Sequence, residues 1–305
     1  MVRSLLTAAG MPIAAPKKQA HSSEAPAARS AEAATAAATA SATSGAALTN
    51  YTGKGFDACA APDSSTMNAW MANSPYRAVG IYIGGRKRAC AQPNLNASWV
   101  QQQAAAGWRF MPIYVGLQAA DISSPLSEGR SAADDAVNQA AALGLGPGAL
   151  LYYDMENYDR AKYSGNVLAF LSAWTEQLHA RGYNSAVYSS SSSGIADLAD
   201  HTGSHTMPDV VFSAHWNKAE NTNDPALPSW AWSNHQRVHQ YTGNITESWG
   251  GKRIQIDQDY LDVALSGPAT PVPATTAGVY RPGESWFYIS DRNGNLAGQT
   301  PFGAP

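Results

Sequence analysis

Two acidic residues stand two positions apart in the stretch LLYYDMENYD (150–159), at the end of a run that is otherwise apolar. Side chains alternate between the two faces of a strand, so Asp154 and Glu156 share one face with Tyr152, while Tyr153 lies on the other. Burying an unpaired charge is costly, so we expect the acidic face to border a polar cleft rather than a packed core. Two carboxylates placed in this way are suited to general acid–base chemistry.

Further acids occupy comparable positions in other strand-like runs. Asp57 lies near the end of the first run, and Asp257 and Asp259 repeat the i, i+2 spacing in the last one. Aromatic and polar residues stand near the ends of the remaining runs: Tyr82, Tyr114, Tyr188, His215, Trp216 and Gln240. Aromatic faces stack on sugar rings and paired carboxylates catalyse glycoside cleavage, so this combination predicts a carbohydrate site.

Several of these residues also have a purely structural interpretation. Tyr114 and Tyr188 could belong to the core, and His215 could be a hydrogen-bonded histidine at the rim. Clustered carboxylates also suit a hard cation, but the sequence lacks EF-hand spacing and histidine-rich motifs, so we expect no metal and no cofactor. The serine run SSSSSG (189–194) does not fit G-x-S-x-G and predicts a flexible loop rather than a nucleophile.

The elements that would position these residues alternate along the chain. Strand-like runs occupy residues 55–60, 78–85, 109–116, 149–156, 184–190, 209–216, 238–242 and 254–262, and helical patterns occupy 67–75, 96–108, 131–146 and 161–183. Parallel strands need crossover connections, so this alternation predicts an α/β fold, a (β/α)8 TIM-like barrel. The barrel should be irregular where residues 217–237 read as a loop. A doubly wound open sheet is the alternative, but no G-x-G-x-x-G follows the first strand.

In such a barrel the polar strand ends converge. Barrel enzymes keep their active sites at the C-terminal ends of the strands, and the first and eighth strands are neighbours. We therefore expect Asp57, Asp257 and Asp259 on one wall of the mouth. Asp154 and Glu156 should face them from the opposite wall.

The rest of the sequence limits which classes of binding partner and which cellular compartment are compatible with the protein. The formal net charge is −3 and no basic stripe is present, which argues against nucleic acid as a partner. No apolar run reaches the length of about 18 residues that a membrane span needs. Residues 1–50 read as a degenerate signal peptide and an Ala/Thr/Ser linker, residues 51–265 as the barrel, and residues 266–305 as a Pro/Thr linker with a short tail. The aromatic residues of that tail could dock on the barrel or pair as a hairpin around DRNGN.

Two cysteines are present, Cys59 and Cys90, and neither has a neighbour at zinc-ligand spacing. In an exported chain an even count favours one disulfide. Two free, buried thiols are the alternative.

Several short motifs also occur in a characteristic order: KGFDACAAP, IYIGG followed by a cysteine, GWRFMPIYVG, LLYYDMENY, RGYNSAVYSS and RVHQYT. Over about residues 52–265 they resemble the actinobacterial glycoside hydrolase-like domain of unknown function (domain-of-unknown-function family 1906). That family is similar to the family 25 lysozymes. The resemblance implies a (β/α)8-like barrel with an acidic site, and it implies that Cys59 pairs with Cys90.

The similarity to family 25 lysozymes also implies roles for the acids. Those enzymes carry an aspartate on the first strand, an Asp-x-Glu on the fourth and an aspartate on the last. Asp57 matches the first, and Asp154 and Glu156 match the Asp-x-Glu, with Glu156 as the general acid. Asp257 matches the last, and Asp259 is the alternative match.

These observations predict a secreted, monomeric glycoside hydrolase that acts on a cell-wall polysaccharide such as peptidoglycan. Glu156 would protonate the leaving oxygen, and Asp154 would stabilise the developing positive charge or position a nucleophile. Asp57 and an eighth-strand aspartate would orient the substrate or water. The alternative is a non-catalytic carbohydrate- or envelope-binding module on the same barrel, and a weaker one is a structural envelope protein whose acidic mouth is vestigial.

Overall fold

The computed structural model describes residues 45–267 with their side chains, and the backbone of residues 278–281, 286–290 and 296–301. Its helices are α1 (Gly45–Thr49), α2 (Ser64–Asn73), α3 (Ala97–Ala105), α4 (Pro125–Ala142), α5 (Arg160–Ala180) and α6 (Ala196–Asp200). Its strands are β1 (Tyr51–Asp57), β2 (Ala78–Gly84), β3 (Arg109–Tyr114), β4 (Leu150–Asp154), β5 (Asn184–Ser190), β6 (Val210–Ala214), β7 (Gln236–Trp249), β8 (Lys252–Val263), β9 (Gly278–Arg281), β10 (Trp286–Ser290) and β11 (Leu296–Pro301). The expected signal peptide and the Pro/Thr linker fall mostly in residues 1–44 and 268–277, which lie outside the described residues.

Strands β1 to β8 close into one barrel in sequence order, so the predicted eight-stranded α/β barrel is confirmed. Strands β1 to β7 are parallel neighbours, but β8 runs antiparallel to both β7 and β1. The irregularity expected on this side of the barrel therefore extends to the direction of the last strand. Gly250 and Gly251, both with positive φ, turn the chain directly from β7 into β8 and leave no room for a crossover helix.

Apolar side chains fill two layers, as the alternation of the strands predicts. Residues such as Met111, Tyr152 and Phe212 fill the barrel interior. The opposite faces of the strands pack under the helices, where Tyr153 and Trp174 are fully buried. The period-2 assignment of Tyr152 and Tyr153 to opposite faces is therefore confirmed.

The bottom of the barrel is closed by residues that precede β1. The hydroxyl of Thr49 accepts a hydrogen bond from the Leu150 amide at 3.1 Å. The side chain of Asn50 binds both backbone groups of Leu265, at 2.7 and 3.1 Å. Helix α1 thus packs with the barrel although it precedes residue 51, where we expected the domain to begin.

Strands β7 and β8 continue past the barrel rim as a two-stranded extension, residues 243–256, which we call the hairpin arm. The arm reaches α2, where the indole of Trp70 donates to the Lys252 carbonyl at 3.0 Å. The hydroxyl of Tyr76 donates to Glu247 at 2.8 Å, which fixes the arm a second time. The arm therefore covers a flank of the barrel that a crossover helix would otherwise cover.

Two loop predictions have different outcomes. Residues 217–237 contain turns and bends but no helix, as expected. The serine run is not a plain loop: Ser189 and Ser190 end β5, and Ser191–Ile195 form a π-helical turn that leads into α6.

Strands β9, β10 and β11 form an antiparallel sheet with β10 in the centre. The antiparallel pairing of β10 with β11 agrees with the hairpin expected around DRNGN, whose residues 291–295 lie outside the described residues. No helix in the described part of the chain is long and apolar enough to cross a membrane.

Candidate active site

Four carboxylates converge on one open cavity at the C-terminal ends of the parallel strands. Asp57 is the last residue of β1, and Asp154 is the last residue of β4. Glu156 lies two residues beyond β4, and Asp257 of β8 pairs directly with Asp57 across the sheet. All four line a cavity of about 560 Å³. The structure therefore brings together the acids that the sequence selected.

Asp57 is buried in the wall of this cavity, level with its strand partner Asp257, and is held at both oxygens. Its Oδ1 accepts from the Tyr82 hydroxyl at 2.8 Å, and its Oδ2 accepts from the Gln240 amide at 3.0 Å. Burial and the neighbouring Asp257 carboxylate raise the pKa of Asp57 to about 7, although the two hydrogen bonds oppose this rise. Gly80 lies alongside, and a Cβ there would come within 2.4 Å of the Asp57 Cβ.

Asp154 is also buried, but its carboxylate has little support. Its Oδ1 has no hydrogen-bond partner among the described residues. Burial, followed by the charges of Glu156 and Asp57, raises the pKa of Asp154 well above its ordinary value. An unpaired buried oxygen that faces a cavity is more consistent with a ligand-binding role than with a structural one.

Glu156 stands at the rim, and Gln118 fixes its backbone. The Gln118 amide donates to the Asp154 carbonyl at 2.9 Å and accepts from the Glu156 amide at 2.8 Å. One side chain thus clamps both ends of the Asp-x-Glu segment. Glu156 as a whole is exposed to solvent, but its carboxyl group is partly buried. This partial burial and the charge of Asp257 raise the pKa of the carboxyl group.

The two acids of β8 lie at different depths because this strand runs down from the rim. Asp257 is at rim level, where its Oδ1 accepts from the Asn244 amide at 2.5 Å and burial raises its pKa. Asp259 pairs with Gly55, one pleat deeper than Asp57. It is fully buried, and neither of its carboxylate oxygens has a partner among the described residues. Asp259 lies beneath the cavity rather than on its wall, which favours Asp257 as the match to the last aspartate.

Gln240 connects the predicted substrate-binding residues to Asp57. Its Oε1 accepts from the Tyr188 hydroxyl at 3.2 Å and from the Trp216 indole at 2.9 Å, while its amide donates to Asp57. Trp216 remains 54% exposed, and its ring packs on Gly243, where a Cβ would come within 2.0 Å of it. The mouth therefore presents a fixed indole face of the kind that stacks on sugar rings.

A family model described as the Rv2525c-like, glycoside hydrolase-like domain matches residues 68–261, which is more than half of the chain. The chain belongs to this family. The resemblance that the sequence motifs indicated is thereby confirmed at the level of a glycoside hydrolase-like domain. None of the curated proteins matches the sequence significantly.

Several solved structures are similar to this glycoside hydrolase-like domain at low sequence identity. An uncharacterized protein from B. stearothermophilus is 19% identical with a TM-score of 0.52, covering 68% of this chain and 95% of that one. The modular autolysin LytC from Streptococcus pneumoniae is 14% identical with a TM-score of 0.47, covering 69% and 47%. The modular Cpl-1 endolysin, solved with a peptidoglycan analogue, is 12% identical with a TM-score of 0.43, covering 81% and 64%. At these identities the similarity concerns the fold alone.

Among the predicted substrate-binding residues, Tyr82 lines the cavity itself, and Tyr188, Trp216 and Gln240 adjoin it through the contacts described above. Two others, Tyr114 and His215, lie elsewhere. Tyr114 points under the helices, where its hydroxyl donates to Asp135 of α4 at 2.7 Å and its ring packs on Trp174. His215 directly follows β6, at a position whose side chain points away from the barrel interior. It lies beside His239, and its Nδ1 is 3.9 Å from the Asp224 carboxylate. Neither side chain lines the acidic cavity, because the neighbouring residues of each strand occupy the inward face.

Five polar residues of the cavity wall were not selected from the sequence: Lys87, Arg88, Gln118, Asn244 and Gln255. Gln118 and Asn244 position the acids through the contacts described above, and Arg88 faces the same cavity. Gln118 and Arg88 follow the ends of β3 and β2, so a search for polar residues just beyond each strand could have found them. Asn244 lies in an irregular part of β7 at positive φ, and no pattern in the sequence marks it.

The disulfide implied by the resemblance is present between Cys59 and Cys90, with Cα atoms 5.7 Å apart. Both cysteines line the cavity, and the bridge ties the segment after β1 to the loop after β2. Across residues 45–267, no group of three or more histidine, cysteine or acidic side chains has a metal-binding arrangement.

Proposed function

We propose that the protein is a glycoside hydrolase that cleaves a β-linked cell-wall polysaccharide of the peptidoglycan type. The observation that carries this proposal is the convergence of four carboxylates with raised pKa on an open cavity beside an exposed indole. Buried acids with raised pKa cost stability, so their concentration at one cavity is typical of an active site.

In this proposal Glu156 is the general acid. Its raised pKa keeps the carboxyl group protonated at a pH where an ordinary glutamate is ionised, so it can protonate the glycosidic oxygen. Asp154 faces the same space and, when ionised, stabilises the positive charge on the sugar or positions the nucleophile. Asp57 and Asp257 orient the substrate or water, and Trp216 supports a sugar ring.

A second candidate function is glycan binding without turnover. Burial raises the pKa of Asp154 well above its ordinary value. A neutral Asp154 at neutral pH would not stabilise a positive charge, whereas it would still donate a hydrogen bond to a sugar hydroxyl. The pH at which Asp154 ionises with substrate bound therefore separates the two functions.

The test is incubation of the protein with purified cell walls and a panel of β-linked glycans while new reducing ends are measured. Wild type should release reducing ends, and Glu156→Gln should reduce the rate at least about a thousandfold while the melting temperature is retained. Glu176→Gln, on the outer surface of α5, is the matched control and should keep full activity. Full activity in Glu156→Gln would remove the role of this residue, and binding without release across the panel and across pH 4–9 would favour the second candidate.

We also propose that the protein is exported to the cell wall or the medium and acts as a monomer. The disulfide supports the compartment, because such bonds persist in oxidising environments. The division into residues 1–50, 51–265 and 266–305 remains a prediction, with 51–265 as the glycan-acting unit.

A further inference from the structure

Three consecutive basic residues, Arg86, Lys87 and Arg88, form a loop between β2 and Cys90 that the proposed mechanism does not use. The loop is well anchored. The Lys87 amide donates to the Val115 carbonyl at 3.1 Å, and the disulfide holds Cys90. The basic residues therefore occupy defined places at the edge of the cavity.

The three side chains lie in different environments. Arg86 is exposed and lines a separate recess that also contains Glu128. Lys87 also lines the acidic cavity, but it is exposed and forms an ion pair with Asp121, with 3.0 Å between Nζ and Oδ2. Arg88 is half-buried on the wall of the acidic cavity. Only Arg88 combines partial burial with a place in the candidate active site.

Arg88 has unused hydrogen-bonding capacity. Its Nη1 donates to the backbone carbonyl of Tyr82 at 3.1 Å, which anchors the guanidinium near the end of β2. Among residues 45–267, no carboxylate lies within ion-pair distance of Arg88, although four carboxylates line the same cavity. A guanidinium offers five N–H donors, so most of them remain available to a ligand.

We propose that Arg88 forms an anion subsite that binds a carboxylate carried by the glycan, on a sugar next to the bond that is cleaved. A cavity with four acids repels an anionic sugar unless a fixed positive charge compensates locally. Arginine binds planar carboxylates through two parallel hydrogen bonds, which also fixes the register of the sugar. This inference rests on the proposed function, because it assigns an acidic glycan to the same cavity.

Binding to matched oligosaccharides tests this subsite without requiring turnover. One pair is a β-1,4-linked oligosaccharide with lactyl-ether carboxylates and the same compound with those carboxylates converted to amides. A second pair carries uronic acids and their amides, which distinguishes the two sources of a carboxylate. Titration is followed by calorimetry on the full chain. Wild type should bind one acid about tenfold or more tightly than its amide, as expected for charge-assisted hydrogen bonds.

Variants separate the subsite from general electrostatics. Arg88→Gln should abolish the preference for the acid and leave the affinity for the amide unchanged, and Arg88→Lys should retain part of the preference. Arg86→Gln removes the same charge from the same loop outside the cavity and should change neither affinity. A loss of affinity for both compounds in Arg88→Gln would instead indicate a structural role in holding Tyr82.

The outcomes distinguish this inference from the proposed function. Equal binding of acid and amide by wild type, or no binding of either, overturns the anion subsite. Preference for the acid without any release of reducing ends supports the subsite and contradicts the hydrolase. Cleavage of both compounds with equal kcat/KM supports the hydrolase and contradicts the subsite.

Discussion

The acidic mouth should make the protein less stable as the pH rises, and Asp57→Asn should remove part of this effect. Asp57 is 4% exposed, and burial together with Asp257 raises its pKa from an ordinary value of 3.8 to about 7. The folded protein therefore holds a proton on Asp57 that the unfolded chain has already released. Between these two values the folded state binds more protons, so the free energy of unfolding falls as the pH rises.

The size of the effect follows from the difference between the two pKa values. Each pKa unit corresponds to about 1.4 kcal/mol, so ionisation of Asp57 costs the folded state on the order of 4 kcal/mol by pH 8. The asparagine keeps the shape of the side chain and does not ionise. It loses the hydrogen bond from Gln240, but this loss does not depend on pH. The informative quantity is therefore the slope of the free energy of unfolding against pH.

Unfolding by urea, measured at several pH values between 4 and 9, tests this reasoning. The stability of wild type should fall between pH 4 and pH 8 by several kcal/mol more than that of Asp57→Asn, which should also lose glycan cleavage. Gln101→Ala, a change of an exposed, uncharged residue of α3, is the control and should give a curve parallel to wild type. If the Asp57→Asn curve also runs parallel to wild type, then Asp57 is not protonated in the folded protein and the electrostatic account is wrong.

Three further substitutions test other parts of the site. Gln118→Ala removes the two hydrogen bonds that hold the backbone of Asp154 and Glu156, so kcat should fall at least about tenfold with little change in KM, measured by reducing-end kinetics. Gly243→Ala forces the Trp216 ring away because its Cβ would lie 2.0 Å from that ring, so glycan Kd should rise about tenfold while kcat changes less. Tyr114→Phe deletes a hydroxyl outside the cavity and should cost about 1 kcal/mol of stability with kcat/KM unchanged, and a large loss of activity would contradict its placement under α4.

The strands that carry acids were the easiest to interpret from sequence. At the end of β4 the charges of Asp154 and, two residues further on, Glu156 mark the face that borders the cavity, because the opposite face must pack under helices. Strand β3 gives no such signal, since both of its faces are buried and apolar. This is why Tyr114 was assigned to the site by residue type, although the inward positions belong to Met111 and Ile113.

The reversed direction of β8 can also be predicted in part from the sequence. The pair Gly250–Gly251 between two alternating runs is typical of a two-residue hairpin turn, which excludes a crossover helix. Once β8 is reversed, its register against β1 places Asp257 at the rim and Asp259 one pleat deeper. Period-2 alternation puts both acids on the same face, but it carries no information about depth along the strand.

The sequence alone predicts the barrel class, the inward face of the Asp-x-Glu segment and four acids that line the cavity, but it also places Asp259 with them. These follow from local periodicity and from the cost of burying charge, which act within a few residues. Only the tertiary structure decided that Gln118 clamps Glu156, that Gln240 connects Trp216 to Asp57, and that Arg88 faces the acids without an ion pair. These contacts join residues between 6 and 183 positions apart, and the closure of the barrel brings them together.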